Sequence, residues 1–143
     1  VDMPPGTSDA PLTVMQTLQM DGFVSVATPQ KLAALDAKRS INMVKKLNVE
    51  VLGVVENYSG DVFGSGVGKQ LAAEMDLTYF GEIALRPDYQ DDSKPTVLVN
   101  ADVRAEYDHI WAGLKAKLTE LQAMPEQVAA AQAAEGGNKD EKA

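Results

Sequence analysis

Short, mostly apolar segments of strand length alternate with helical segments along most of this 143-residue chain. Three segments, Phe23–Ala27, Glu50–Glu56 and Thr78–Ile83, are short and mostly apolar, as strands covered on both faces of a sheet are. Sequences with helical spacing connect them, and two parallel strands need a connection of that length. The alternation therefore predicts an α/β fold, with a mostly parallel sheet and helices on both faces.

Apolar residues in the connecting segments recur every three or four positions, which is the period of an amphipathic helix. Helices are predicted at Asp9–Met20, Pro29–Leu47, Gly68–Met75 and from a cap at Asn100 or Asp102 onward. We expect one side chain of each helix in the core against the sheet, namely Met15, Ile41, Leu71 and Trp111, with Tyr107 beside Trp111. Pro87–Lys94 is predicted as a polar loop.

Composition limits the partners of this chain. The formal net charge is -8 and the 13 basic residues form no long block. Nucleic acids and anionic membranes are excluded as main partners, because both need a concentrated positive surface. The absence of cysteine excludes disulfides and thiolate metal sites within this sequence and is compatible with a cytoplasmic location. Ala- and Gln-rich sequence after Gln122 predicts a domain over residues 1–121 and a disordered tail over residues 122–143.

The opening segment, Val1 to Gly6, is typical of a buried strand that ends in a loop. In P-loop nucleotide hydrolases, an Asp at such a strand end holds Mg²⁺ through water, and a nearby Gly N–H contacts the γ-phosphate. Asp2 and Gly6 are therefore the candidate catalytic residues, and only Gly permits so close a backbone approach. The alternative for Asp2 is a simple turn. Val1 is expected to pair with the other strands in parallel, in a fold whose N-terminal part is missing.

Several further motifs follow in a fixed order. They are Asp2-Met3-Pro4-Pro5-Gly6-Thr7-Ser8-Asp9, Ala27-Thr28-Pro29-Gln30, Asp36–Met43, Val51–Asn57, Phe63-Gly64 and Gly81-Glu82-Ile83. Together they resemble the C-terminal half of the Mrp/ApbC family, the MinD-like P-loop ATPases that carry iron–sulfur clusters. The likeness covers roughly residues 1–121, with Ser8 in place of the second Gly of the family's first loop.

The resemblance implies a Mg²⁺-dependent ATPase that binds ATP, forms a homodimer and serves an apo-protein client. It implies that Asn57 pairs with adenine, since an amide offers both a donor and an acceptor. The alternative for Asn57 is an Asx-type turn into the next residues. Arg86, Pro87 and Asp88 match the family's second adenine-flanking segment, although Ala84 stands where the family has Pro.

The family's Cys-x-x-Cys loop is expected between Asn57 and Phe63. This chain has only Tyr58–Val62 there, with no thiolate to bind iron. The resemblance thus implies the nucleotide-binding fold and leaves the iron–sulfur cargo in doubt. His109 is the only histidine, and its place beside apolar residues predicts a helix-surface or packing role.

The segment Gly64–Gln70 is similar to a Walker A loop, which has the pattern G-x-x-x-x-G-K-[S/T]. Here Phe63 replaces the leading Gly and Gln70 replaces the Mg²⁺-binding hydroxyl residue. The segment is therefore predicted to begin a helix and not to bind phosphate. Without a phosphate cradle, this chain alone is not expected to hydrolyse ATP.

Two other functions are compatible with the same fold. One is a non-catalytic interaction module whose surface binds a partner protein. The other is a membrane-positioning ATPase, which needs a basic amphipathic helix at its C-terminus. The acidic, Ala-rich C-terminal sequence does not provide that helix.

Overall fold

The computed structural model describes residues 1–3, 9–18 and 20–136, with side chains described as far as residue 123. Its elements are α1 (Asp9–Thr17), β1 (Phe23–Ala27), α2 (Lys31–Lys46), β2 (Val51–Ser59), α3 (Val67–Met75), β3 (Thr78–Ala84), a 3₁₀ turn (Pro87–Gln90), α4 (Thr96–Val99) and α5 (Ala101–Gly136). The strands predicted at Phe23–Ala27, Glu50–Glu56 and Thr78–Ile83 are present, and β2 extends three residues beyond its predicted end.

The strands form a parallel sheet in the order β1-β2-β3 within the described residues. Val26 pairs with Val55, and Asn57 pairs with Ile83. The predicted parallel α/β fold is therefore confirmed. The prediction of a strand at Val1 is wrong, because Val1 is 86% exposed and outside the sheet.

Helices cover both faces of the sheet, as predicted. On one face, Ile41, Val44 and Leu71 pack with Val54 in a core that also contains Met15. On the other face, Leu52, Val55 and Phe80 contact the apolar side of α5, which consists of Ile110, Leu114, Leu118 and Leu121. The alternation of β2 side chains between two cores explains why this strand is apolar throughout most of its length.

Trp111 and Tyr107 are not core residues, contrary to the sequence prediction. Trp111 is 58% exposed and Tyr107 is 45% exposed. Ile110 faces the sheet, and a step of one residue rotates the side chain about 100° around a helix. Trp111 consequently lies on the flank of α5.

The N-terminus of α5 is capped by Asn100, one of the two predicted caps. Its Oδ1 atom accepts hydrogen bonds from the backbone N–H groups of Asp102 and Val103, at 2.9 and 3.1 Å. The helix then continues to Gly136, so no change of secondary structure occurs at Gln122. The division into a domain and a tail stays a prediction, and residues 137–143 lie outside the described residues.

The predicted loop Pro87–Lys94 begins with the 3₁₀ turn Pro87–Gln90, and the short helix α4 lies between this loop and α5. None of the helices in the described ranges is long and apolar enough to cross a membrane.

Candidate functional site

The carboxyl ends of β2 and β3 lie side by side. Ser59 pairs with Ala84, and the Leu85 N–H donates a hydrogen bond to the Ser59 carbonyl at 2.9 Å. This register places Asn57, at the end of β2, at the same sheet edge as Arg86, just after β3. Open α/β sheets bind ligands beyond the carboxyl ends of their strands. Two of the predicted site segments are thus brought together where a ligand is expected.

Asn57 is partly buried, and its side chain is oriented by the backbone that follows it. The Oδ1 atom accepts a hydrogen bond from the Tyr58 N–H at 3.0 Å. Tyr58 has a φ of 62° and lies where the pairing of β2 with β3 shifts register, between Asn57 and Ser59. The amide oxygen is therefore engaged locally, and adenine binding by Asn57 stays a prediction.

Arg86 is held by an ion pair with Glu106 of α5. The Arg86 Nη2 atom donates a hydrogen bond to Glu106 Oε1. The side chains are 26% and 21% exposed, so the pair is largely shielded from solvent. This hydrogen bond raises the pKa of Arg86. The Arg86 Nε atom is buried without a hydrogen-bond partner among the described residues.

The other two residues of this segment continue away from β3. Pro87 begins the 3₁₀ turn. The Asp88 carboxylate accepts a hydrogen bond from Asn100 Nδ2 at 2.9 Å. Arg86, Pro87 and Asp88 therefore form an ordered connection between β3 and the start of α5.

Asp2 lies beside β1, at the edge of the sheet opposite to β3. It is exposed, and it borders a groove of about 820 Å³ that is also lined by β1 residues from Phe23 to Ala27. Asn57, in contrast, lies near the end of β2, and Arg86 follows β3. Gly6 lies outside the described residues. The catalytic assignment of Asp2 and Gly6 remains a prediction.

Glu56 is a structural anchor that the sequence analysis did not identify. This fully buried side chain accepts hydrogen bonds from the backbone N–H groups of Gly66, at 2.8 Å, and Gly68. A carboxylate is favourable at the N-terminus of a helix, because the first N–H groups lack partners within the helix and the helix dipole is positive there. An acidic residue at the end of an apolar strand, ten residues before a Gly-rich helix start, was the available signal.

The Glu56 contacts explain the Gly-rich segment that is similar to a Walker A loop. The helix α3 begins at Val67, one residue before its predicted start at Gly68. Two N–H groups at its start are engaged by the protein's own carboxylate. This arrangement supports a structural function for the segment.

The loop between β2 and α3 is short and closed. Gly60 and Gly64 exchange two backbone hydrogen bonds, of 2.9 and 2.7 Å. Between and beside them, Tyr58, Val62 and Phe63 expose apolar surface. No group of three or more His, Cys, Asp or Glu side chains in the described part of the chain could hold a metal ion.

His109 is an exposed residue of α5, and its ring lies next to Gly81 of β3. A β-carbon at Gly81 would stand 3.1 Å from its ring, so the glycine leaves room for the imidazole. This placement agrees with a packing role at the helix surface.

A parallel α/β sheet with a candidate site at the carboxyl ends of its strands is the arrangement of many nucleotide-binding α/β proteins. A solved structure of that class, a nucleotide-binding protein from Archaeoglobus fulgidus in complex with ADP, is 37% identical and matches with a TM-score of 0.53. The match covers 62% of this chain and 40% of that protein. The family model described as ParA, NUBPL iron-transfer P-loop NTPase, matches residues 1–118. The chain belongs to this family.

Curated relatives carry names from the same family. An iron–sulfur cluster carrier protein of Methanocaldococcus jannaschii is 36% identical over 77% of this chain and 43% of its own length. The cytosolic Fe-S cluster assembly factor CFD1 of Candida albicans is 38% identical over 62% of this chain and 35% of its own length. The chain thus spans less than half the length of these relatives.

Proposed function

We propose that this chain forms the adenine side of an ATP site in an iron–sulfur-carrier-type P-loop ATPase. The observation that carries the proposal is the adjacency of Asn57 and the Arg86–Asp88 segment at the carboxyl edge of the sheet. The ADP-bound relative from Archaeoglobus fulgidus supports it. In this arrangement Asn57 binds the edge of the base, while Arg86, Pro87 and Asp88 flank it.

The phosphate side requires groups beyond this edge. Asp2 is proposed to hold Mg²⁺ through water, and Gly6 to donate its N–H to the γ-phosphate. Mg²⁺ prefers oxygen ligands such as those of a carboxylate. The Asp2 carboxylate is exposed and forms no ion pair with a described residue, so its oxygens are accessible to the ion and its water. When bound, Mg²⁺ neutralises charge on the transferring phosphoryl group. The rest of the phosphate cradle is proposed to come from residues outside this sequence.

The working protein is proposed to be a cytoplasmic homodimer that hydrolyses ATP and serves an apo-protein client. The relatives named as carriers and as cytosolic assembly factors support this context. The sequence contains no cysteine, so this chain supplies no thiolates for a cluster. The proposal therefore includes no iron–sulfur cluster held by this chain alone.

ATP binding by the full-length gene product tests the proposal. Isothermal titration should detect binding by the wild type, and Asn57→Ala should weaken it at least about tenfold, or about 1.4 kcal/mol. Asn42→Ala is the matched control, because Asn42 is exposed on α2, away from this edge. Absence of wild-type binding, or equal affinity in Asn57→Ala, would contradict the proposal.

A non-catalytic interaction module is the second candidate. One observation favours it: apolar side chains are exposed at Tyr58, near the end of β2, and at Val62 and Phe63 on the closed loop that follows. Exposed apolar groups held on a rigid loop are suited to protein contacts. A gene product that binds no nucleotide would favour this second function.

A further inference from the structure

The carboxylate of Glu106 contacts the segment after β3 at two points. Its Oε1 atom accepts a hydrogen bond from Arg86, and its Oε2 atom accepts one from the Ala84 N–H at 3.3 Å. One side chain of α5 thus holds both the last residue of β3 and the first residue of the proposed adenine-flanking segment.

Asn100 provides a second connection between the same parts. Its Nδ2 atom donates a hydrogen bond to Asp88, while its Oδ1 atom caps α5. The segment from Ala84 to Asp88 is therefore attached near both of its ends to the first two turns of α5.

The Arg86 guanidinium depends on Glu106 for its described hydrogen bond. Its Nε atom is buried and has no partner among the described residues. The pair is about three-quarters buried, so solvent replaces a lost partner poorly. Removal of the Glu106 charge should consequently shift Arg86 and the backbone that follows it.

We infer that Glu106 is a positioning residue for the base-binding side of the nucleotide site, and that Asn100 positions the other end of the same segment through Asp88. Glu106 acts through Ala84 and Arg86. The inference rests on the proposed function, because it assigns a role in base recognition to the segment that these residues hold. It predicts that loss of the Glu106 charge affects discrimination between adenine and guanine more than it affects contacts to the phosphates.

Glu106→Gln tests this inference in the full-length gene product, because the substitution keeps the size of the side chain. The affinity for ATP should fall about tenfold while that for GTP changes much less, so the ATP preference shrinks by about 1.4 kcal/mol. Without nucleotide, hydrogen exchange at the Ala84 amide should accelerate about tenfold. The control is Glu120→Gln, on the same helix, where Glu120 forms an exposed ion pair with Lys117. Both measurements should stay within about twofold of wild type in this control.

Asn100→Asp is a second variant that retains the helix cap. An Asp side chain still accepts the two N–H groups, but it presents a carboxylate to Asp88 in place of an amide donor. We expect the same loss of ATP preference in this variant.

The outcomes separate the inference from the proposed function. Wild-type binding with an unchanged ATP preference and unchanged Ala84 exchange in both variants would overturn the inference alone. An equal loss of ATP and GTP affinity would indicate only a structural role and would also overturn it. A wild type that binds neither nucleotide would overturn the proposed function, and the inference with it. Accelerated Ala84 exchange in that case would still establish the contact of Glu106 with β3.

Discussion

Gly68 lies so close to Glu56 that a β-carbon on the glycine would stand 2.8 Å from the Cβ atom of Glu56. The same glutamate accepts N–H groups at the start of α3. The end of β2 and the start of α3 are therefore joined through one buried carboxylate, with the closed loop of residues 60–64 between them.

Glu56→Gln should destabilise the fold. The amide retains one acceptor oxygen but points its NH₂ group at a backbone donor, so a charge-assisted hydrogen bond is lost in a buried position. We expect the free energy of unfolding to fall by about 2 kcal/mol in urea denaturation. Glu50→Gln, at an exposed position just before β2, is the control and should change it by less than about 0.5 kcal/mol. Equal stability of the two variants would contradict the anchoring role of Glu56.

Lys69→Ala should leave ATP affinity within about twofold of wild type, since the segment around Lys69 is proposed to begin a helix and not to bind phosphate. Lys69 is exposed, one residue after the glycine that binds Glu56. Equilibrium binding of ATP to the full-length gene product measures this. A loss greater than about tenfold, or 1.4 kcal/mol, would identify a phosphate site at this loop.

Much of the fold could be predicted from local sequence. The five residues of β1 were predicted with both ends correct, because a short, mostly apolar run that follows Gly22 and ends at Thr28-Pro29 is typical of a buried strand. Parallel pairing followed from the helical segments between the strands. The Asn100 cap was also visible locally, since its oxygen binds N–H groups two and three residues later.

Long-range relationships could not be predicted in this way. The partners Arg86 and Glu106 are 20 residues apart, and no periodicity relates the end of a strand to a position in the second turn of a helix. Trp111 was misplaced for a similar reason. Helical spacing predicts in which direction the apolar side of a helix points. The width of the neighbouring sheet decides which side chains at the margin of that apolar side are covered.

Iron binding should be absent from this chain. With no cysteine and a single histidine, anaerobic reconstitution with iron and sulfide should give no visible thiolate-to-iron absorption. The Methanocaldococcus jannaschii relative, which is named as an iron–sulfur cluster carrier, serves as the positive control. A stoichiometric chromophore that stays with this chain during gel filtration would contradict the prediction.

The central claim is that this chain belongs to a working ATP site, with Asp2 on its Mg²⁺ side. The direct test is the rate of ATP hydrolysis at saturating ATP in the full-length gene product carrying Asp2→Asn. We predict a decrease of at least about a hundredfold, the size expected when charge is misplaced at a transferring phosphoryl group. Asn57→Ala should keep most of the saturated rate while it weakens binding. Asp108→Asn, at an exposed position on α5, should hydrolyse ATP like the wild type. Hydrolysis by Asp2→Asn at the wild-type rate would contradict the claim.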